Sequence, residues 1–158
     1  MAGFISIKPD DASPILAVLS RFASLNQTAM FEEIGAHQVN STQQNFLNQS
    51  TPEGNPWKQS WRAKLQSGET LRDTGRLMNS ITFNASANGV EVGSDLDYAH
   101  VMHFGAHILP KTAQYLTFQV AGQWRKVKEV NIPSREFLGI NQDDEESILD
   151  IIERCIYG

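Results

Sequence analysis

The stretch from Leu71 to Gly105 constrains the fold of this chain more than any other, because turn and cap chemistry recurs along it at short intervals. Asp73-Thr74-Gly75 reads as a capped turn carrying Leu77 and Met78. From Asn79 to Asn84, Ile81 and Phe83 alternate with polar residues, the period-two pattern of a half-buried strand. Asn88-Gly89 supplies the positive-φ pair of a tight hairpin, and Val90 and Val92 alternate on the returning strand. Ser94, with Asp97 three residues on, has the form of a capping box. Tyr98, Val101, Met102 and Phe104 then share a helical face, and Gly105 fits the position just past a helix end.

Residues 1–12 read as an extended polar lead. Ser13-Pro14 reads as an N-cap followed by proline at the first helical position. Ile15, Leu16, Val18, Leu19, Phe22 and Leu25 give helical periodicity to about Ser24. Asn26 or Thr28 opens a second helix reaching about Gln49, with Phe31, Ile34, Val39, Thr42 and Phe46 near one face. Its opposite face is expected to carry Glu32, Gln38, Asn40, Ser41, Gln43, Gln44 and Asn45. So thin an apolar stripe suits a helix packed on one side and completed by another molecule. The breakers of 51–56 open a segment, 50–70, expected to be irregular and mobile. Trp57 and Trp61 lie four apart within it, on one face if that piece is helical, where they either close the core or anchor a subunit contact.

Beyond Gly105, residues 106–113 read as loop, and Tyr115–Val120 as a strand turning at Ala121-Gly122. The return from Gln123 to Ile132 breaks alternation at Trp124 and Val127, which predicts a bulge. Residues 133–139 leave as a turn, with Phe137 and Leu138 plugging the core. Asp143 is the expected cap of a last helix whose first turn is acidic, and Ile148, Ile151, Ile152 and Cys155 form its buried stripe. This order predicts an α+β fold: N-terminal helices and a C-terminal helix packed on a small antiparallel sheet of hairpins. A length of 158 residues suits a single domain over 1–158.

No run of about 18 apolar residues spans a membrane. The N-terminus lacks the basic flank and long apolar stretch of a secretory signal. Cys155 is the one cysteine, which excludes an internal disulfide and fits a reducing compartment. The formal charge is −5, unevenly placed. Segments 58–76 and 111–135 hold ten of the thirteen Lys and Arg, while acids crowd 141–154. Faces of opposite sign suit head-to-tail contact between copies, and ordinary solvated faces explain the same pattern equally well.

Chemistry-bearing constellations are sparse. His100, His103 and His107 follow an H-x2-H-x3-H pattern, but no cysteine or glutamate beside them completes a zinc set. Cys155 on a buried acidic helix is a poor nucleophile. No G-x-S-x-G, Walker loop or G-x-G-x-x-G is present. The pattern therefore predicts no enzyme, no metal and no cofactor. Trp57-Lys58, Trp61-Arg62 and Trp124-Arg125-Lys126 interleave bases with aromatics, the pattern of a module stacking on single-stranded nucleic acid. Basic stems covering tryptophan edges produce the same sequence.

Leu71-x-Asp-Thr-Gly-Arg-Leu-x-x-Ser-Ile81, Val90-Glu-Val-Gly-Ser94, Tyr98-Ala-x-x-x-His-Phe-Gly105 and Ile132-Pro-Ser-Arg-Glu-Phe-Leu-Gly139 occur in order, preceded by Pro52-Glu-Gly-Asn-Pro-Trp57. Together they resemble the phage virion morphogenesis family, over residues 15 to 157. Glu136 stands where that family often has proline, and His103 where it often has glutamine or glutamate. The resemblance implies a structural protein of phages and prophages, without catalysis or cofactor. It implies assembly in the host bacterial cytoplasm and a place in the virion tail or neck. The expected role is completing the tail at its head-proximal end, as a ring commonly of six subunits, beside tail-tube, terminator and neck proteins. Ring contacts are then expected at Trp57, Trp61 and Arg62, with Gln38, Gln44 and Asn45 of the second helix. Contact with DNA through the basic tryptophan segments is the alternative.

Overall fold

The computed structural model describes residues 13–157, so the extended lead expected over 1–12 lies outside the described residues. Helices α1 (Ser13–Ser24) and α2 (Gln27–Asn48) come first. Then follow α3 (Trp61–Gln66), α4 (Arg76–Asn79), β1 (Ile81–Ser86), β2 (Gly89–Ser94) and α5 (Ala99–Phe104). β3 (Ala106–Ile108), β4 (Leu116–Val120), β5 (Gln123–Val127), β6 (Val130–Ile132) and α6 (Gln142–Tyr157) complete the order. The fold is α+β, as the sequence predicts, but the strands form three separate antiparallel pairs: β1 with β2, β3 with β6, and β4 with β5.

The long helix α2 is the spine. Asn26 caps it, its side chain accepting from the Ala29 N–H at 3.2 Å. Gln49 ends it in the left-handed conformation at φ 55°. Its C-terminal half carries Phe46 into the main core with Trp57, Leu77, Ile81, Ala99 and Phe137. Its N-terminal half places Met30 and Ile34 against Ile151 of α6. Between these clusters the β1–β2 hairpin lies close on the helix. A methyl at Gly35 would stand only 2.5 Å from Phe83 Cδ2, so a residue without Cβ permits this approach.

Several sequence expectations change here, each for a physical reason. The buried face of α2 includes Gln38 and Asn45, which the periodicity had put on the outer face. Burial there follows the 34–38–42–45 row, and Asn45 earns its place by donating to the Phe137 carbonyl at 3.1 Å. The segment 50–70 is not irregular throughout. Its breakers close a Ser50–Pro56 bridge, and Ser60 caps α3 by accepting from the Ala63 N–H at 3.2 Å. In the first hairpin Ser86 pairs with Gly89, so Ala87-Asn88 is the turn and only Gly89 has positive φ. Ser94 does not cap α5: its hydroxyl lies 2.7 Å from that of Ser80 and accepts from the Leu96 N–H, tying the hairpin's open end.

The expected loop after Gly105 instead contains β3, which pairs with β6. The β4–β5 ladder is regular, Leu116 opposite Val127 through Val120 opposite Gln123, so no bulge interrupts it. The alternation looks broken because Trp124 stands on the outer side of the hairpin, opposite Gln119, and is exposed, while Val127 shares the side of Leu116, Phe118 and Val120. Asn141, not Asp143, caps α6. Its Oδ1 accepts from the Asp144 N–H at 2.8 Å, and Asp144 Oδ2 accepts from the Asn141 N–H at 3.0 Å, a reciprocal capping box. The other Asp144 oxygen meets His37 Nε2 at 3.1 Å, docking α6 on the spine.

Gly105 stops α5 at φ 78°, and a Cβ there would lie 2.6 Å from the Ile132 carbonyl oxygen. Gly105→Ala should therefore cost on the order of 2 kcal/mol or more, from backbone strain and displacement of β6. Urea unfolding of the variant beside the parent chain checks this.

Candidate interaction site

Residues 133–139 run as an extended strap between β6 and α6. Five neighbours bond to it. Met102 and His103 carbonyls accept from the Arg135 N–H at 3.2 and 3.0 Å. His103 Nδ1 accepts from the Phe137 N–H at 3.3 Å. Trp57 Nε1–H donates to the Glu136 carbonyl at 2.9 Å. Arg135 Nε–H donates to the Lys58 carbonyl at 2.8 Å, and Asn45 reaches the Phe137 carbonyl. Phe137 is thereby held against Phe46, ring centres 5.1 Å apart, while Phe46 meets Trp57 edge-on at 5.5 Å.

This arrangement separates the residues expected to act together. Trp57 belongs to the chain's own core, the packing role the sequence also allowed, which leaves it no surface to offer as an anchor. Gln38 and Asn45 are likewise buried. Trp61 begins α3 and is 69 % exposed, so the two tryptophans do not share a helical face. Arg62 lies beside it, pairing with Asp73 at 3.3 Å and donating to the Glu69 carbonyl. Gln44 is exposed and lines a polar cleft of about 410 Å³ with Asn45, His37 and Asp144.

A larger groove, about 740 Å³, lies between the β4–β5 hairpin and the segments around α3, α4 and α5. Trp61, Leu71, Tyr98, Met102, Phe118 and Val120 give it an apolar lining. Lys58, Arg62, Arg76, Arg125 and Arg135 line it too, against the acids Asp73 and Glu129. The Arg125 guanidinium carbon sits 5.9 Å from the Trp61 ring centre, within cation–π reach. The sequence carried both basic–aromatic segments, but nothing in it paired Trp61 with Arg125. Arg135 is the member that sequence reading missed altogether. It is buried at the groove wall, where desolvation pushes its pKa below the usual arginine range. No carboxylate among the described residues forms an ion pair with it.

The three histidines of the H-x2-H-x3-H pattern do not converge. His103 packs edge-on against Phe137 and Phe104, and His107 pairs with Glu129 at 2.9 Å. Among the described residues no cluster of three metal-ligating side chains occurs. No helix among them is long and apolar enough to cross a membrane.

Two predictions follow from this geometry. Trp57→Ala should lose about 3–5 kcal/mol of stability, while Trp61→Ala should stay within about 0.5 kcal/mol, both read by urea unfolding. Desolvation holds the His103 pKa below its ordinary 6.5, against an opposing pull from Glu136. The unfolded chain then binds the proton more readily, so this contribution is complete above about pH 6.5 and is lost as pH falls toward the lowered value. His103→Gln, which can still accept from the Phe137 N–H, should flatten the fall in stability between about pH 7 and pH 5. Equal slopes for the two proteins would contradict it.

Comparison with known proteins places the chain. The sequence profile described as the phage virion morphogenesis family matches residues 10–156. "Mu-like prophage FluMu G protein 2" of Haemophilus influenzae is 30 % identical over 151 residues, covering 94 % of each chain. No solved structure matches.

Proposed function

The chain belongs to the phage virion morphogenesis family, and from that premise we propose that it completes the phage tail at its head-proximal end and prepares it for joining to the head. It does so as a homo-oligomeric ring, a hexamer in the simplest case, seated among tail-tube, terminator and neck proteins in the assembled virion. Its work is structural and needs no cofactor.

The observation carrying this reading is the amount of large apolar surface left exposed among the described residues. Phe104 and Trp124 are 74 % and 72 % exposed, and Trp61 is similarly open. On α1, Ile15, Leu16, Leu19 and Phe22 are all exposed. Large apolar side chains left exposed in such number are what an interaction surface provides. Asp144 and His103 have structural partners: Asp144 caps α6 and meets His37, and His103 holds the strap.

Electron microscopy of particles made without this protein tests the proposal. Filled heads beside unjoined tails are the expected result, and normally joined virions would contradict it. DNA contact is the second reading, favoured by the stacking of Arg125 on Trp61 beside Lys58. Such a site would lose affinity steeply as salt rises, roughly one counterion per phosphate contacted.

A further inference from the structure

We infer that the basic-walled groove beneath the β4–β5 hairpin receives the acidic outer face of α6 from a second copy of this chain. The inference rests on the ring reading and specifies its contact. The groove offers an apolar floor and five basic residues against two acids. Arg135 is the most demanding of them. Its Nε–H is satisfied by the Lys58 carbonyl, and its Nη groups donate to nothing among the described residues. A largely buried side chain whose Nη atoms still reach solvent matches a carboxylate arriving from outside.

The outer face of α6 has the complementary chemistry. Glu146, Leu149, Asp150, Glu153 and Tyr157 recur at three- and four-residue spacing and are all exposed, Leu149 at 58 %. Leu149 can settle on the apolar floor while the flanking carboxylates meet the basic wall. The exposed apolar helix α1 is a poorer occupant, because its only charge is Arg21 and it brings no carboxylate to Arg135. The groove and the α6 face share no residue, so each copy can offer its groove to one neighbour and its α6 face to another, which makes the inferred contact heterologous. Repeated from copy to copy, such a contact builds a closed ring when its rotation closes.

The test uses full-length chains in a Cys155→Ser background. Val120→Cys, in the groove, and Leu149→Cys, on α6, are prepared separately and treated with a short bismaleimide. The inference requires a cross-linked pair in the mixture and none from either variant alone. In a second arm, Lys58→Glu with Arg125→Glu should weaken self-association at least about tenfold, and adding Glu146→Lys with Asp150→Lys should restore it. Folding of each variant is checked by its urea transition.

Cross-linking of Leu149→Cys to itself would mean a symmetric contact and would overturn the inference. So would wild-type oligomers whose mass is untouched by the charge reversals, although the ring itself would stand. A wild-type chain that stays monomeric at high concentration, alone and on tail tubes, would remove the ring reading and this contact with it. Charge reversals that abolish binding to single-stranded DNA while leaving the oligomer intact would assign the groove to nucleic acid instead.

Discussion

The interaction on which the rest depends is the clamping of the 133–139 strap into the middle of the fold. Phe137 is almost wholly buried against Phe46, yet its neighbours Arg135 and Glu136 are polar. An irregular segment crossing a core would ordinarily leave its peptide groups without partners, at about 1–3 kcal/mol for each. Here Asn45, Trp57 and the end of α5 supply those partners. Residues from three distant parts of the chain thus meet on one short run of backbone.

That clamp also produces the candidate site. Holding Arg135 against Lys58 brings the basic stretch before α3 next to the end of β6. The β4–β5 hairpin then projects over the gap, with Phe118 and Val120 toward it and Arg125 stacked on Trp61. The groove exists because the strap fixes one wall and a two-stranded hairpin forms the other. A two-stranded hairpin is marginal on its own and depends on packing against its apolar side. The same physics that completes the core therefore leaves an open apolar surface beside it.

Local chemistry was legible in the sequence wherever neighbours along the chain determine the outcome. The span of α1, the start of α2 at Asn26 or Thr28, the two strands of the first hairpin, the Gly105 stop and the stripe of α6 all follow from spacing and cap residues. Long-range pairing was not legible. The break at Trp124 and Val127 looked like a bulge because nothing nearby says that Trp124 is left exposed on the outer side of a regular ladder, nor that β6 pairs with β3. Gln38 and Asn45 looked like surface amides because an amide on a buried row is recognisable only with its neighbours in place, such as the Phe137 carbonyl that Asn45 meets. Of the candidate site, Trp61 and Arg62 were visible as types, whereas Arg135 was hidden inside a motif that reads as a folding signature. Family membership was legible earliest, because it rests on short ordered motifs rather than on contacts.

Residue-resolved hydrogen exchange on the isolated chain tests the central role of the strap most directly. The amides of Arg135 and Phe137 should exchange only through global unfolding, as slowly as the middle of α2, although they lie outside any helix or strand. Exchange as fast as in the exposed 111–114 segment would show that the strap is not the clamp of this fold.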